Sequence, residues 1–324
     1  MAMPHLLSVK NLSVHFSTGT GIVKAVDRIS YNLNAGETLG IVGESGCGKT
    51  VSALSLLRLI PNPPGKIVGG EIFFEGKDLL KAGKEEICNI RGNKIAMIFQ
   101  EPMTSLNPVL TIGHQIGEPL VTHQKMKKKQ AAIKAANALT EVNIPDSSNR
   151  INDYPHQFSG GMCQRAMIAM GLTCSPKIII ADEPTTALDV TIQAELLMLM
   201  KKSTMETGAA LIIITHNLGI IARYADRVHV MYAGKIVEKA TAADLYKNPK
   251  HPYTKGLMAS VPRLDQDVKA RLQPVEGQPP DMADMPEGCS FHPRCRYRIG
   301  KCLEQEPFLR TIADGHEIGC WVDV

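Results

Sequence analysis

Apolar and polar residues alternate over residues 6–16 and 23–33, the two-residue period of half-buried strands, and the pair reads as an antiparallel hairpin or meander. Asn34-Ala35-Gly36-Glu37 is a turn, and it leads into the apolar run Thr38-Leu39-Gly40-Ile41-Val42, a short buried strand. Residues 51–57 read as a helix, the Pro/Gly cluster at 61–65 breaks it, and strands follow at 71–76 and 94–99. From residue 100 the texture changes. Pro102 and Pro108 mark a loop, and helical periodicity then dominates, most plainly over 130–142, which predicts a helical insertion at about 101–174. Strand and helix then alternate: strands at 177–182 and 209–215, helices at 190–206 and 217–224, and a hairpin at 227–237 around Ala233-Gly234. That alternation predicts an α/β domain with a largely parallel sheet. Past residue 250 the periodicity fades while Pro, Cys and basic residues accumulate, which divides the chain into residues 1–250 and 251–324.

Between the strand at 38–42 and the helix at 51–57 stands Gly43-Glu44-Ser45-Gly46-Cys47-Gly48-Lys49-Thr50. It fits G-x-x-x-x-G-K-[ST] in the strand–loop–helix setting that this motif requires. The glycines let successive N–H groups turn inward onto phosphate oxygens, and the helix N-terminus adds its positive end. Lys49 brings a point charge to the β- and γ-phosphates, and Thr50 offers a hydroxyl to Mg²⁺. The chain is therefore expected to bind a nucleoside triphosphate.

At 324 residues and 44% hydrophobic, the chain has material for one large α/β domain and an appendage. Aromatics are 5%, too few for a stacking platform on single-stranded nucleic acid, and a net charge of +4 suits anionic ligands without demanding DNA or RNA. Met1-Ala2-Met3-Pro4-His5 lacks the pattern of a signal peptide. Apolar runs such as 178–181 and 211–214 are too short to span a bilayer. A soluble, cytoplasmic protein is expected, with any membrane spans supplied by other chains.

Two further stretches carry chemistry. Four apolar residues at 178–181 lead to Asp182 and Glu183, two carboxylates at the C-terminal end of a central strand, where open α/β sheets bind ligands. Asp182 suits a magnesium ion held through water, and Glu183 suits polarising an attacking water. Phe158-Ser159-Gly160-Gly161-Met162-Cys163-Gln164-Arg165 precedes a helix expected from near Cys163. A hydroxyl, two small residues and a helix N-terminus make a second anion site. Either this is a Gly-Gly turn with no ligand, or two subunits pack head to tail and each offers the segment to its partner's γ-phosphate.

In their order along residues 5 to about 250, these motifs resemble the ATP-binding cassette subunit of ABC transporters. The resemblance implies a P-loop NTPase cassette: a mixed-sheet core with an antiparallel β subdomain and a helical subdomain, using ATP and Mg²⁺. It implies that Gln100 joins Thr50 and Asp182 at the magnesium and couples that site to a membrane subunit. It further implies that His216 contacts the γ-phosphate, that Ala187-Leu188-Asp189 is the D-loop with Asp189 among the nucleotide-binding residues, and that Phe16 stacks on adenine. Three residues depart from the usual pattern: Phe158 and Met162 flank the intact Ser159-Gly160-Gly161, and Asn217 stands where Asp commonly follows the histidine.

Cys289, Cys295, Cys302 and Cys320 lie within the last 36 residues, spaced C-x₅-C-x₆-C-x₁₇-C, whereas Cys47, Cys88, Cys163 and Cys174 are dispersed. A cytoplasmic chain argues against disulfides and leaves a soft four-thiolate site for zinc or an iron–sulfur cluster. The nearby Arg294, Arg296, Arg298 and Lys301 do not discriminate, because both occupants are anionic. His251-Pro252-Tyr253-Thr254 and Cys289-Ser290-Phe291-His292-Pro293-Arg294-Cys295 are similar to the C-terminal extension of the dipeptide/oligopeptide importer branch. That resemblance implies a [4Fe–4S] cluster on the four cysteines. It also implies the first of two paralogous ATPases on the cytoplasmic face of a bacterial inner membrane. The partners implied are a second ATPase, two transmembrane permease subunits and, indirectly, a peptide-binding protein outside; no nucleic acid is expected. A soluble ABC ATPase of nucleic-acid or translation work would carry a coiled-coil insertion or tandem cassettes, and neither is evident. An importer of nickel, haem or antimicrobial peptide, or a redox-sensing tail, is the remaining alternative.

Overall fold

The alternation at the N-terminus folds as its period requires. In a computed structural model that describes residues 5–19, 21–184, 190–260 and 275–323, the strands Leu7–Thr18 and Gly21–Leu33 pair antiparallel, Leu7 opposite Leu33 and Phe16 opposite Val23. The inward set Leu7, Val9, Leu12 and Val14 is fully buried. A third strand, Gly65–Phe74, pairs antiparallel with the first, and Lys77–Asp78 closes a four-stranded sheet. This third strand begins six residues before the expected 71, because Gly69 and Gly70 interrupt the apolar alternation while the backbone pairing continues. It ends at Phe74, where Glu75 and Gly76 take positive φ of 50° and 77° and turn the chain.

The described residues form two compact units, one built from segments up to 33, 38–80 and 215 onward, the other from 34–37 and 81–214. In the first, Thr38–Val42 runs parallel to Arg227–Tyr232, which forms the expected hairpin with Lys235–Thr241. In the second, Ile95–Ile98, Ile178–Asp182 and Ala210–Thr215 pair parallel, Ile178 facing both Ile95 and Ala210. Every residue of the latter two strands is buried, which is why they read as unbroken apolar runs. The expected helical insertion consists of Ile112–Gln124, Lys128–Glu141 and Gly160–Leu172 with shorter turns between. Gly171 lets the last of these helices approach the sheet, since a Cβ there would stand 3.4 Å from Ile98.

Beyond 250, a region expected to be irregular, the described residues include regular elements. They form the helix Pro252–Ala259 and the strands Arg310–Ala313 and His316–Ile318, of which the second pairs antiparallel with Lys235–Thr241. Strands of three and four residues are too short to register as a period. A buried clamp holds them: the Glu238 carboxylate is 2.7 Å from His316 Nε2 and accepts the N–H groups of Lys250 and His251 at 2.8 and 3.0 Å. His251 is itself buried, which drives its pKa down to about 3, so the neutral imidazole accepts the Tyr253 N–H and caps the helix that follows.

Candidate functional site

The strand Thr38–Val42 delivers the chain to Gly43, and the helix Lys49–Leu56 takes it up two residues earlier than expected. Gly48 sets that start: its φ is +101°, and a Cβ would meet the Ala25 carbonyl oxygen at 2.1 Å. Gly43 is equally confined, with the Met231 carbonyl oxygen 2.2 Å from where a Cβ would stand. The loop between them is tied down by two backbone contacts, Gly234 N–H to Cys47 O at 2.9 Å and Glu44 N–H to Tyr253 Oη at 2.8 Å. Lys49 is buried, and its Nζ donates to the carbonyls of Gly43 and Glu44 at 2.8 and 2.9 Å. Thr50 and Ser45 are exposed on the same loop. Cys47 is buried, which pushes its thiol pKa up against the opposing charge of Lys49 and makes it a packing residue rather than a nucleophile. Phe16 is half-buried with its ring over Gly65, where a Cβ would meet the ring at 2.7 Å. His216 is exposed directly after the strand Ala210–Thr215, and Asn217 caps the next helix by accepting the Gly219 N–H at 2.9 Å. Asn and Asp cap equally well, so the departure at 217 leaves the local structure intact.

In the second unit, Asp182 ends its strand 2% exposed. Glu183 follows with φ +44°, an unusual value for a side chain of its size, and its N–H is held by the Ile214 carbonyl at 2.9 Å. Its carboxylate accepts the Gln100 amide at 3.1 Å, so two residues expected at the site from sequence meet there. Ser159 caps the helix Gly160–Leu172 by accepting the Met162 N–H at 3.3 Å. This helix starts three residues before the expected Cys163, because the serine cap draws both glycines into the first turn. Ser159 and Gly160 are exposed, and nothing lies within 4 Å of a Cβ placed on Gly160. Phe158 turns inward, 6% exposed, under the Arg150 guanidinium at 5.9 Å. That departure is a core substitution that leaves the exposed serine and glycines unaltered. Asp189 lies outside the described residues.

The four C-terminal cysteines do gather. Cys289 N–H donates to Cys302 O at 2.8 Å, and the Cys289 thiol is pushed up to about 11, first by burial and then by its neighbours Cys302, Cys320 and Cys295. Burial likewise raises Cys295 and Cys320. Among the described residues, no three His, Cys, Asp or Glu side chains stand close enough to hold a single metal ion. The sequence reading missed what joins this region to the phosphate loop: Tyr253, which touches Glu44, and Arg294, which pairs with it across 250 positions. No periodicity marks such a pair.

Comparison with known proteins decides the family. A family model for ABC transporters matches residues 26–186, and one for the oligopeptide/dipeptide transporter C-terminal region matches residues 237–302. The dipeptide transport ATP-binding protein DppD of Bacillus subtilis is 51% identical over 99% of this chain and 95% of its own length. The chain belongs to the ABC transporter ATP-binding proteins. The oligopeptide transport ATP-binding protein OppD of Bacillus subtilis is 48% identical over 98% of this chain and 88% of its own length. DppD of Escherichia coli is 46% identical over 97% and 96%. Among solved structures, the dimeric ATP-binding cassette MJ0796 bound to ADP and Pi covers 73% of this chain and 98% of its own, with a TM-score of 0.66 and 27% identity. The fold is thus the ABC cassette of the P-loop NTPases, with mixed sheet and helices, and the chain is an ABC-type ATPase.

Proposed function

We propose that this ABC ATPase energises the import of di- or oligopeptides through a membrane permease. The observation that carries the reading is one chain matching both the ABC transporter model and the oligopeptide/dipeptide transporter C-terminal region. Relatives named for peptide transport along nearly the whole length support it. The same C-terminal match weighs against nucleic-acid or translation work and against another cargo. Residues 1–250 serve as the nucleotide-binding domain, with its helical subdomain at about 101–174, and residues 251–324 as the peptide-importer extension. The partners in this reading are a second, paralogous ATPase, two permease subunits and, through them, an external peptide-binding protein. Among the described residues no helix is long and apolar enough to cross a membrane. We assign the chain to the cytoplasmic face of the bacterial inner membrane, attached through the permease. The test is uptake of a labelled dipeptide by cells lacking this chain; uptake that persists unchanged overturns the reading.

The residues divide the chemistry. The backbone of residues 43–50 and Lys49 bind the triphosphate, and Phe16 stacks on the base. Thr50, Gln100 and Asp182 would hold Mg²⁺, which would supply positive charge to the phosphates. Glu183 takes the proton of the attacking water or orients it, with Gln100 holding its carboxylate, and His216 contacts the γ-phosphate. Catalysis of this kind is positioning plus electrostatics. Asp189 belongs with the nucleotide-binding residues. Ser159, Gly160 and Gly161 close the site of another subunit, so the working unit is a head-to-tail dimer. The open space above Gly160 supports this, because neither its backbone angle nor any neighbour requires glycine there, whereas an approaching phosphate does.

The four cysteines hold a [4Fe–4S] cluster in this proposal, in preference to zinc. What supports a shared site is that the Cys289 thiol is influenced by Cys302, Cys320 and Cys295; zinc is the alternative occupant. Anaerobically purified protein is expected to carry about four iron and four acid-labile sulfide per chain. Stoichiometric zinc without sulfide contradicts it.

A further inference from the structure

Glu44 puts a carboxylate at the second position of a loop that gathers phosphate. Its carboxylate brings negative charge to a place where backbone N–H groups, Lys49 and a helix N-terminus all favour an anion. The fold answers with Arg294, from the turn between Cys289 and Cys295. Its two terminal nitrogens stand 2.7 and 2.9 Å from the two Glu44 carboxylate oxygens, a bidentate fork in which the arginine side chain is 4% exposed. The other donors are engaged too: Nε to the Glu276 carbonyl at 2.9 Å, Nη2 to the Val275 carbonyl at 3.2 Å, and Nη1 to Tyr232 Oη at 3.5 Å. All five N–H groups of the guanidinium therefore have an acceptor. Burial disfavours the charge, but the hydrogen bonds to Glu44 and Tyr232 outweigh it and hold the group above its usual range.

Glu44 is held a second time through its backbone. Its N–H donates to Tyr253 Oη, and Tyr253 packs with ring centroids 4.6 Å from Tyr232 and 5.4 Å from Phe291. Side chain and main chain of one phosphate-loop residue are thus both fastened to residues beyond 250. A fully bonded, nearly buried arginine has one conformation available, so the loop residue it grips has little freedom either.

We propose that Arg294 is a positioning residue of the phosphate loop. It turns the Glu44 charge away from the triphosphate and fixes the loop's curvature, so that the cassette's nucleotide affinity depends on the cysteine-bearing extension. The proposal rests on residues 43–50 being the phosphate loop. It goes beyond that reading by making the extension part of the nucleotide site's support. Because coupling between two sites is reciprocal, bound nucleotide in turn steadies the turn that carries Cys289 and Cys295.

The test is equilibrium binding of a non-hydrolysable ATP analogue to the full chain, with thermal unfolding measured on each variant. Arg294→Gln leaves Glu44 charged and unheld. If the loop then occupies its binding conformation about a tenth of the time, Kd rises about tenfold. Arg294→Lys keeps a charge but loses the fork, and a rise of about threefold is expected. Glu44→Gln combined with Arg294→Gln removes both charges and is expected to recover most of the affinity lost in Arg294→Gln alone. Arg294→Gln and Arg294→Lys that both bind as tightly as the wild type overturn the proposal, whatever their unfolding temperatures. So does a double variant as weak as Arg294→Gln, which assigns the loss to packing rather than to the unpaired carboxylate. If Arg294→Gln does not fold, Arg294→Lys alone decides. Lys49→Ala is the control: if it also leaves Kd unchanged, the phosphate-loop reading itself fails, whereas an effect of Lys49→Ala without one at Arg294 fails only the proposal.

Discussion

Glu183→Gln is expected to bind ATP about as tightly as the wild type and to lose about 10²- to 10⁴-fold in turnover, the usual contribution of a general base. The substitution keeps the side chain's size and an oxygen for the Gln100 amide, which the carboxylate now accepts at 3.1 Å. It also keeps the backbone contact from residue 183 to the Ile214 carbonyl, which holds the positive φ. What is lost is the carboxylate that, in the proposed role, takes a proton from the attacking water or orients it. Binding and chemistry thus separate cleanly at this residue. If the proposed head-to-tail dimer forms with a second ATPase, the variant is also expected to accumulate as an ATP-dependent dimer, because the step that opens it is blocked. Single-turnover hydrolysis and analytical size exclusion measure both effects. Wild-type turnover removes Glu183 from the catalytic role.

Lys49→Ala acts one stage earlier. Lys49 Nζ is buried against two loop carbonyls, and in the proposed role its charge serves the β- and γ-phosphates. A hydrogen bond from a charged group contributes about 1.5–3 kcal/mol. A factor of ten per 1.4 kcal/mol converts this to an ATP affinity about 10- to 100-fold weaker. Turnover falls further, since charge develops on the same oxygens in the transition state. Some stability is lost as well, because the Gly43 and Glu44 carbonyls lose their ammonium donor. The measurement is ATP-analogue binding beside thermal unfolding; unchanged affinity in a folded variant contradicts the role given to Lys49.

What the sequence made legible was local. The strand–loop–helix of residues 38–57 is written in consecutive residues, and the parallel strands at Ile178–Asp182 and Ala210–Thr215 announce themselves because both faces are buried. Glu183 and Gln100 were expected at one site and do touch. The helix begins at Gly160, three residues before the expected Cys163, because two glycines of low helix propensity conceal a first turn that Ser159 secures. The strand from Gly65 and the short strands near the C-terminus left no period to read. Least legible was the hold of Arg294 and Tyr253 on Glu44. An arginine in a basic, cysteine-rich stretch looks the same whether it faces water or a buried carboxylate, and only the folded chain brings it to residue 44.

The central claim is that ATP handled by this chain drives peptide across a membrane. It is tested most directly by ATP-dependent uptake of a labelled dipeptide into vesicles carrying the reconstituted permease, its binding protein and both ATPases. With the wild-type chain, uptake is expected to follow ATP hydrolysis; with Lys49→Ala or Glu183→Gln it is expected to fall to background. Uptake that continues at the wild-type rate with either variant contradicts the account.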